Sequence, residues 1–549
     1  MDTLDSTHWD VVIAGTGLQQ SLLALALSRS GKKILHVDEN PYYSGSAAAF
    51  SISEAEEWVA KVNAGVYHAA FAEASIHVPE PSESDTPVLS RRPGRQYNLA
   101  LAPEIIYSSS AFRRHLVTSQ VHHQVGFLPV GSWWVYSSHA TSGTATGSLE
   151  KVPNTREDLF GNSTLDFPAK RKLVKILRFI MDYENEDEKV KWEQHRTLPF
   201  SDFLSTVFNA PSILSAPLLA LTMSSQSSDR VTTEHALPRI ARHLRSIGTL
   251  GKFSALVPKY GGLDEFCQVA CRACAVGGGV YVLGKGLSTS DNSVSTVQIP
   301  VENMSELGTD ATNDAKSVVE TSAVRYPPAA VAEHVPGVRL HLKDGEAVTA
   351  RWVVSESPPA NNESPLCKSV TIVSSSLSTL FLPVIVEDRP FQPGSAILVF
   401  PSGSLSLSEE LDGDESLPPV HIHAHSSELG ECPAGQSVLY ASTSLGGERG
   451  FELLRQATNR LLTSLDASPS PNTLWSMQYE QRAVPSVAPL PIPDGASAHF
   501  LGMPPVPLDL VVDDVVFDRV RTLWRTITND DLEQFLQFKN REAEDDDDL

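Results

Sequence analysis

Two glycines in G-x-G spacing, Gly15 and Gly17, follow the apolar run "DVVIA" at residues 10–14 and open a helical pattern. In a dinucleotide site the first glycine permits a tight turn and the second lets backbone N–H groups approach a pyrophosphate. A third lets the helix pack close, and an acidic residue about twenty positions on holds a ribose. Asp38 is placed to be that acid, but the third glycine position holds Gln20. A long polar side chain at the closest helix–strand contact separates fold from function. The pattern predicts the architecture of a nucleotide-binding fold with no bound cofactor.

Other side chains could also carry chemistry. Cys267, Cys271 and Cys274 lie in C-x3-C-x2-C spacing, which matches an iron–sulfur ligand loop. Offsets of four and three, however, put all three thiols on one face of a helix, "LDEFCQVACRACAV", where cysteine acts as a small buried hydrophobe. His421, His423 and His425 alternate onto one strand face, and His122 and His123 are adjacent. Either group could ligate a metal, yet no acidic or cysteine partner is identifiable in the sequence, so packing is expected. Phosphate-loop, nucleophile-elbow and zinc-hydrolase patterns are all missing.

The elements that must position these residues are legible as pattern. "DVVIA", the helical "SLLALALSRS" and the strand "KKILHVD" make a βαβ opening. Residues 76–96 are rich in proline and serine and read as an insertion. "GSWWVYSS" and "GSLEKVP" are arms of a hairpin. From 153 to 236 the pattern turns helical, with Leu173, Ile176, Leu177 and Ile180 on one stripe of "PAKRKLVKILRFIMDYENED". Residues 287–334 are polar and are expected to be a disordered loop with strand-like ends. "GVRLHLKDGEAVTARWVVS" is a hairpin, and four more strands precede the helix "GFELLRQATNRLLTSL". Near the end, "VVFDRVRTLWRTI" is amphipathic, and "EAEDDDDL" is a solvated acidic tail. The chain is therefore expected to be α/β with a helical insertion: residues 1–152 and 237–549 form one body, and 153–236 form the insert.

Composition narrows function. With 549 residues, two or more structural units are expected. A formal charge of −23 disfavours nucleic-acid partners. No apolar run approaches the roughly 20 residues of a membrane span. The acidic start "MDTLDSTHWD" does not read as a signal peptide, and cytoplasm is the expected location. Five cysteines do not suggest a disulfide framework.

The opening stretch resembles the Rab GDP dissociation inhibitors and Rab escort proteins. Asp10–Ser21, Ser30–Tyr43 and the small-residue run "SGSAAAFS" follow their pattern. "YNLALAPEIIYS" at 97–108, "VGSWWVYSS" with "GSLEKVPNTREDLF", and "LVPKYGGLDEFCQVACRACAVGGGVYVL" are similar to further family segments. Weaker similarity runs to about residue 480. The chain departs from the family at Ser44, where a glycine usually follows the Tyr-Tyr pair, and in lacking a bulky aromatic within "QVACRAC".

The resemblance implies a flavoprotein-like (FAD/NAD(P)-binding, Rossmann-type) domain I with an inserted helical domain II, no flavin and no catalysis. It implies partners: GDP-bound Rab GTPases, the Rab geranylgeranyl transferase heterodimer, the geranylgeranyl lipid in a pocket between domain II helices, and transient membrane contact. Tyr43 would belong to the Rab platform, with Tyr260, Arg239, Arg242 and Arg245 in a second contributing segment. Phe200 and Phe203 would face the transferase, although core packing accounts for them equally. Length and insertions look more like a fungal-type escort protein than an inhibitor. Inhibitor and FAD-dependent oxidase are the other readings.

Overall fold

A computed structural model describes residues 3–66, 70–79, 96–138, 147–153, 158, 165–300, 334–359, 364–386, 389–407, 417–465, 469–485 and 489–538. Most of the 76–96 insertion, residues 301–333, the hairpin tip and the acidic tail lie outside them.

The opening βαβ unit forms as its pattern predicts: strand Thr7–Ala14 pairs in parallel with Ile34–Asp38, and helix Leu18–Ser28 connects them. Every residue of that helix is buried. This explains why residues 22–27 of it are apolar on all sides rather than striped. It is enclosed by helix Leu263–Val276 and by the C-terminal helix Val515–Thr528, whose Val516, Phe517, Val520 and Trp524 join the same core.

The first sheet runs in the order Val280–Leu283, Ile34–Asp38, Thr7–Ala14, Ala347–Glu356, His334–His341, Val294–Pro300, with Phe500–Met503 also paired to Ala347–Glu356. Its centre joins distant parts of the chain, Thr7 standing opposite Val348. The strand-like start expected of the 287–334 segment is a strand, and its middle, residues 301–333, lies outside the described residues. Val294–Pro300 pairs antiparallel with His334–His341 along its length, burying Val294 and Ile299.

The second sheet is mostly antiparallel and contains the four predicted strands Leu366–Val373, Ser395–Phe400, Val420–Ser426 and Ser437–Thr443. Strand Phe127–Ser137 extends it, paired with Ser148–Lys151 as the predicted hairpin.

Helices gather between the sheets' segments. Asp166 caps helix Phe167–Met181 by accepting from Ala169 N at 2.8 Å, and Pro168 occupies its first turn. Leu173, Ile176, Phe179 and Ile180 then pack against Phe200, Phe203 and Leu204 of helix Phe200–Phe208 and against Leu237 and Ile240 of helix Thr233–Ser246. This last helix straddles the expected boundary at 236/237. Phe200 and Phe203 are each 0% exposed. In this structure they are core residues, which corrects their assignment as a surface for a partner.

Candidate functional site

In flavin-dependent relatives of this fold, a dinucleotide crosses the carboxyl end of the first strand. The residues here do not fit one. A Cβ added at Gly17 would lie 2.9 Å from Gln20 Oε1, and one at Gly15 would lie 3.4 Å from its Nε2, so the glutamine covers both glycines. Gln20 Nε2 donates to Glu356 Oε1 at 3.1 Å, which adds a carboxylate where a pyrophosphate would need cations. Asp38 is saturated: Oδ2 accepts from Thr16 N (2.8 Å) and Thr16 Oγ1 (2.6 Å), and Oδ1 accepts from Asn40 N (2.8 Å) and Asn40 Nδ2 (2.9 Å). Four donors use up a carboxylate's lone pairs, leaving none for ribose. Pro505, Val506 and Pro507 line the cleft's other side, and about 40 Å³ remains, room for water rather than a cofactor.

The old ribose acid now braces a tyrosine loop. Thr16 Oγ1, which donates to Asp38, accepts from Ser44 N at 3.0 Å, and Ser44 Oγ donates to Asp264 Oδ1 at 2.6 Å. Ser44 sits at φ 74°, the left-handed region where glycine is favoured. The Asp264 bond offsets the strain that the family's glycine avoids. Next to it, the hydroxyl of Tyr43 is buried beside Cys271 and Tyr281, whose ring centroid is 5.3 Å away. Tyr43 thus presents ring rather than hydroxyl.

The same loop packs on the turn that carries Tyr260. A Cβ at Gly261 would come within 2.6 Å of Ala49 Cβ. Tyr260 is 49% exposed at φ 62°, its N–H donating to Leu429 O at 2.8 Å and its carbonyl accepting from Asn98 Nδ2. Its ring lies on Gly430, where any Cβ would clash at 2.5 Å. The structure therefore brings the Tyr43 and Tyr260 segments together.

Burial is the main cause that pushes Asp264 up to about 7 and Asp38 up to about 6, with the hydrogen bonds opposing it. The unfolded chain ionises Asp264 near 3.8, whereas the folded chain holds its proton until about 7. This group's contribution to stability is therefore fully present at low pH and declines as pH rises through that window. Asp264→Asn, which keeps an acceptor for Ser44, should raise the melting temperature at pH 8 and do so less at pH 6. An equal shift at both pH values would remove the carboxyl as the cause.

The arginine stripe is engaged internally. Arg239 forks onto Asp509 and donates to Thr222 O at 3.1 Å. Arg242 lies 3.8 Å from Asp513, and Arg245 bonds Glu184 Oε2 and Met181 O, each at 2.9 Å. The first two pairs strap the segment carrying Asp509 and Asp513 to helix Thr233–Ser246, and the third ties that helix to the end of helix Phe167–Met181. All three arginines proposed for the Rab platform beside Tyr260 are thus already paired with carboxylates of this chain.

Cys267, Cys271 and Cys274 are buried as expected of packing residues, and burial pushes Cys271 up to about 11 and Cys274 to about 12, so both stay thiols. His425 Nδ1 donates to Glu431 Oε2 at 2.8 Å, and Tyr440 donates to the same oxygen. Sequence reading missed that acidic partner. His423 Nδ1 donates to Pro103 O at 2.6 Å. Among the described residues no group of His, Cys, Asp or Glu is arranged to hold a metal.

An apolar cavity of about 410 Å³ lies between helices Phe167–Met181, Ser215–Ala220 and Thr233–Ser246, in the region where the resemblance implied a pocket but sequence reading named no lining residue. Leu173, Leu177, Leu218, Leu221, Leu244 and Ile247 line it. His243 also reaches it, and burial pushes its imidazole down to about 3, leaving it neutral. The one full charge in its wall is Arg178. The available signal was Val174 and Met181, apolar residues on positions of the helix that face outward.

Among the described residues no helix is long and apolar enough to cross a membrane. The chain is similar to the Rab proteins geranylgeranyltransferase component A of Saccharomyces cerevisiae, 26% identical over 444 residues, covering 80% of this chain and 62% of that relative. Its structure is similar to the Rab GDI of Plasmodium falciparum, with a TM-score of 0.58 at 16% identity over 95% of this chain and 98% of the other. An oxidoreductase from Methanosarcina mazei follows at TM-score 0.51 and 10% identity, covering 94% and 99%. The fold is thus the flavoprotein-like α/β architecture with a helical insert, shared between Rab GDI and oxidoreductases. The family model described as GDP dissociation inhibitor matches residues 4–306, more than half of the sequence, and the chain belongs to that family.

Proposed function

We propose that this chain is a Rab escort protein. It binds newly made GDP-bound Rab GTPases, presents them to Rab geranylgeranyl transferase, and delivers the prenylated product to membranes. It does so as a non-catalytic cytoplasmic protein with transient membrane contact. The observation that carries the reading is the apolar cavity of about 410 Å³ in the helical region, a hydrocarbon-lined site in a protein whose cofactor cleft is closed. A prenyl chain is the ligand that such walls favour, because its burial there removes apolar surface from water. The helical domain II is read as extending to Ser246, since helix Thr233–Ser246 forms one cavity wall.

Tyr43 and Tyr260 are proposed to meet the GTPase. Tyr43→Ala should weaken binding of GDP-loaded Rab by about 1–2 kcal/mol, or roughly tenfold, as for an aromatic anchor at an interface. Unchanged affinity by calorimetry would remove Tyr43 from the platform. Arg239, Arg242 and Arg245 would act only by holding the strap, and Phe200 and Phe203 only by supporting the helices that face the transferase.

Reconstitution tests the whole reading: transferase, Rab and lipid donor with and without this chain. Escort function requires a gain in prenylated Rab, and no gain would overturn it. The family match favours a second reading, a GDP dissociation inhibitor. That reading would instead be supported if the chain extracted prenylated Rab from membranes without promoting prenylation.

A further inference from the structure

Helix Phe167–Met181 carries Lys170, Arg171, Lys172, Lys175 and Arg178 and no acidic residue, in a chain whose formal charge is −23. Its outward positions run Phe167, Arg171, Val174, Arg178, Met181, spaced by four and three, with Lys175 alongside. That spacing keeps them on one face. Phe167 is 64% exposed, Val174 42% and Met181 38%. Among the described residues Arg171, Lys175 and Arg178 form no ion pair. Arg171 lies over the Phe167 ring at 5.8 Å and Lys175 over Phe208 at 6.0 Å.

We infer that this face is a docking surface for an anionic phospholipid bilayer. Exposed apolar side chains interleaved with arginine and lysine along a helix are the composition of an element that lies in a bilayer interface, with its apolar groups among acyl chains and its cations at headgroup phosphates. An acidic protein partner would satisfy the cations equally well. The cavity decides for lipid, because Val174, Arg178 and Met181 belong both to this face and to the cavity wall. A hydrocarbon ligand leaving the cavity there would enter acyl chains directly, whereas any protein partner would have to supply a second apolar channel. The acids that follow Met181, namely Asp182, Glu184, Glu186, Asp187 and Glu188, limit the contact to the helix itself. Of these, Glu184 is paired with Arg245 and Glu188 with Lys191. The end bearing Phe167 enters deepest. The choice of a bilayer over an acidic protein, and the use given to this face in unloading a prenyl group, rest on the cavity being the prenyl site; the vesicle measurement reads the binding separately from that site.

The test is co-sedimentation of the full chain, without Rab, with phosphatidylcholine vesicles and with phosphatidylcholine–phosphatidylserine vesicles at low and high salt. Binding to the anionic vesicles alone, lost at high salt, is expected. The combined Arg171→Glu, Lys175→Glu, Arg178→Glu chain should partition roughly a hundredfold more weakly, since three cations near an anionic surface are removed. Phe167→Ala should reduce binding several-fold with an unchanged melting curve. The matching glutamine chain guards against misfolding of the charge-reversed one. No anionic-vesicle binding by the unaltered chain, or equal binding by the charge-altered chains, overturns the proposal. So does a charge-altered chain that keeps vesicle binding but loses the transferase, which would assign the face to an acidic protein. If vesicle binding behaves as expected while prenylated Rab is not captured at all, the cavity reading fails and the surface stands.

Discussion

Leu177→Trp is expected to abolish capture of prenylated Rab while leaving capture of unprenylated, GDP-loaded Rab intact. Leu177 is partly buried and lines the apolar cavity from the middle of helix Phe167–Met181. The indole would fill space that the prenyl chain needs, without opening the core beneath, where Ile176 and Ile180 hold the helix down. Excluding about four methylenes from apolar contact, at about 0.8 kcal/mol each, costs about 3 kcal/mol, or roughly a hundredfold in affinity. Leu177→Met conserves volume and should bind normally. Equal affinity of the tryptophan variant for both Rab forms, measured by fluorescence titration, supports the cavity. Unaltered capture of prenylated Rab would show that the lipid lies elsewhere.

Phe203→Ala should destabilise the helical region by about 3–5 kcal/mol, the range for truncating a fully enclosed aromatic. The ring centroid lies 5.8 Å from Phe179, 6.2 Å from Phe200 and 5.8 Å from Phe208, so its loss leaves a void between helices Phe167–Met181 and Phe200–Phe208. A domain's whole stability is only about 5–15 kcal/mol, so much of that margin would go. Because the chain has more than one cooperative unit, hydrogen exchange of the helices between 167 and 246 is a better readout than a single melting temperature. Phe203→Leu should recover most of the loss. A change below about 1 kcal/mol would mean that the ring is not a core residue, and would return it to the candidate transferase surface.

The sequence made the opening βαβ unit readable because a strand buried on both faces is a continuous apolar run and the enclosed middle of the helix, residues 22–27, is apolar on every side. The glycine turn pointed correctly to the fold, and the missing third glycine is explained locally by Gln20, whose side chain covers both remaining glycines. What pattern could not provide was any partner far along the chain. Arg239 could be named from the sequence only as a candidate platform residue, because its partner Asp509 is 270 positions away. His425 looked partnerless although Glu431 is only six positions on, since the turn at Ser427–Leu429 that folds it back has no periodic signature. Tyr43 entered through family resemblance, not through spacing. Its support, the run from Asp38 through Thr16 and Ser44 to Asp264, crosses three separate segments. The residues that line the cavity were hidden for another reason: leucines that line a void and leucines that fill a core have the same hydropathy and the same period.

The pairing of Thr7–Ala14 with Ala347–Glu356 bears on how this molecule is made. The ribosome releases the first strand early, yet its neighbour on one side emerges only after some 340 further residues, Thr7 waiting for Val348. Helix Leu18–Ser28 waits longer still, for Val515–Thr528 to cover it. At about 5–20 residues per second, that is tens of seconds during which an apolar strand and helix are exposed on a nascent chain. Contacts so distant in sequence also slow folding once synthesis ends. A protein proposed to shield the greasy tails of others would therefore depend, during its own synthesis, on holding chaperones to shield its first thirty residues.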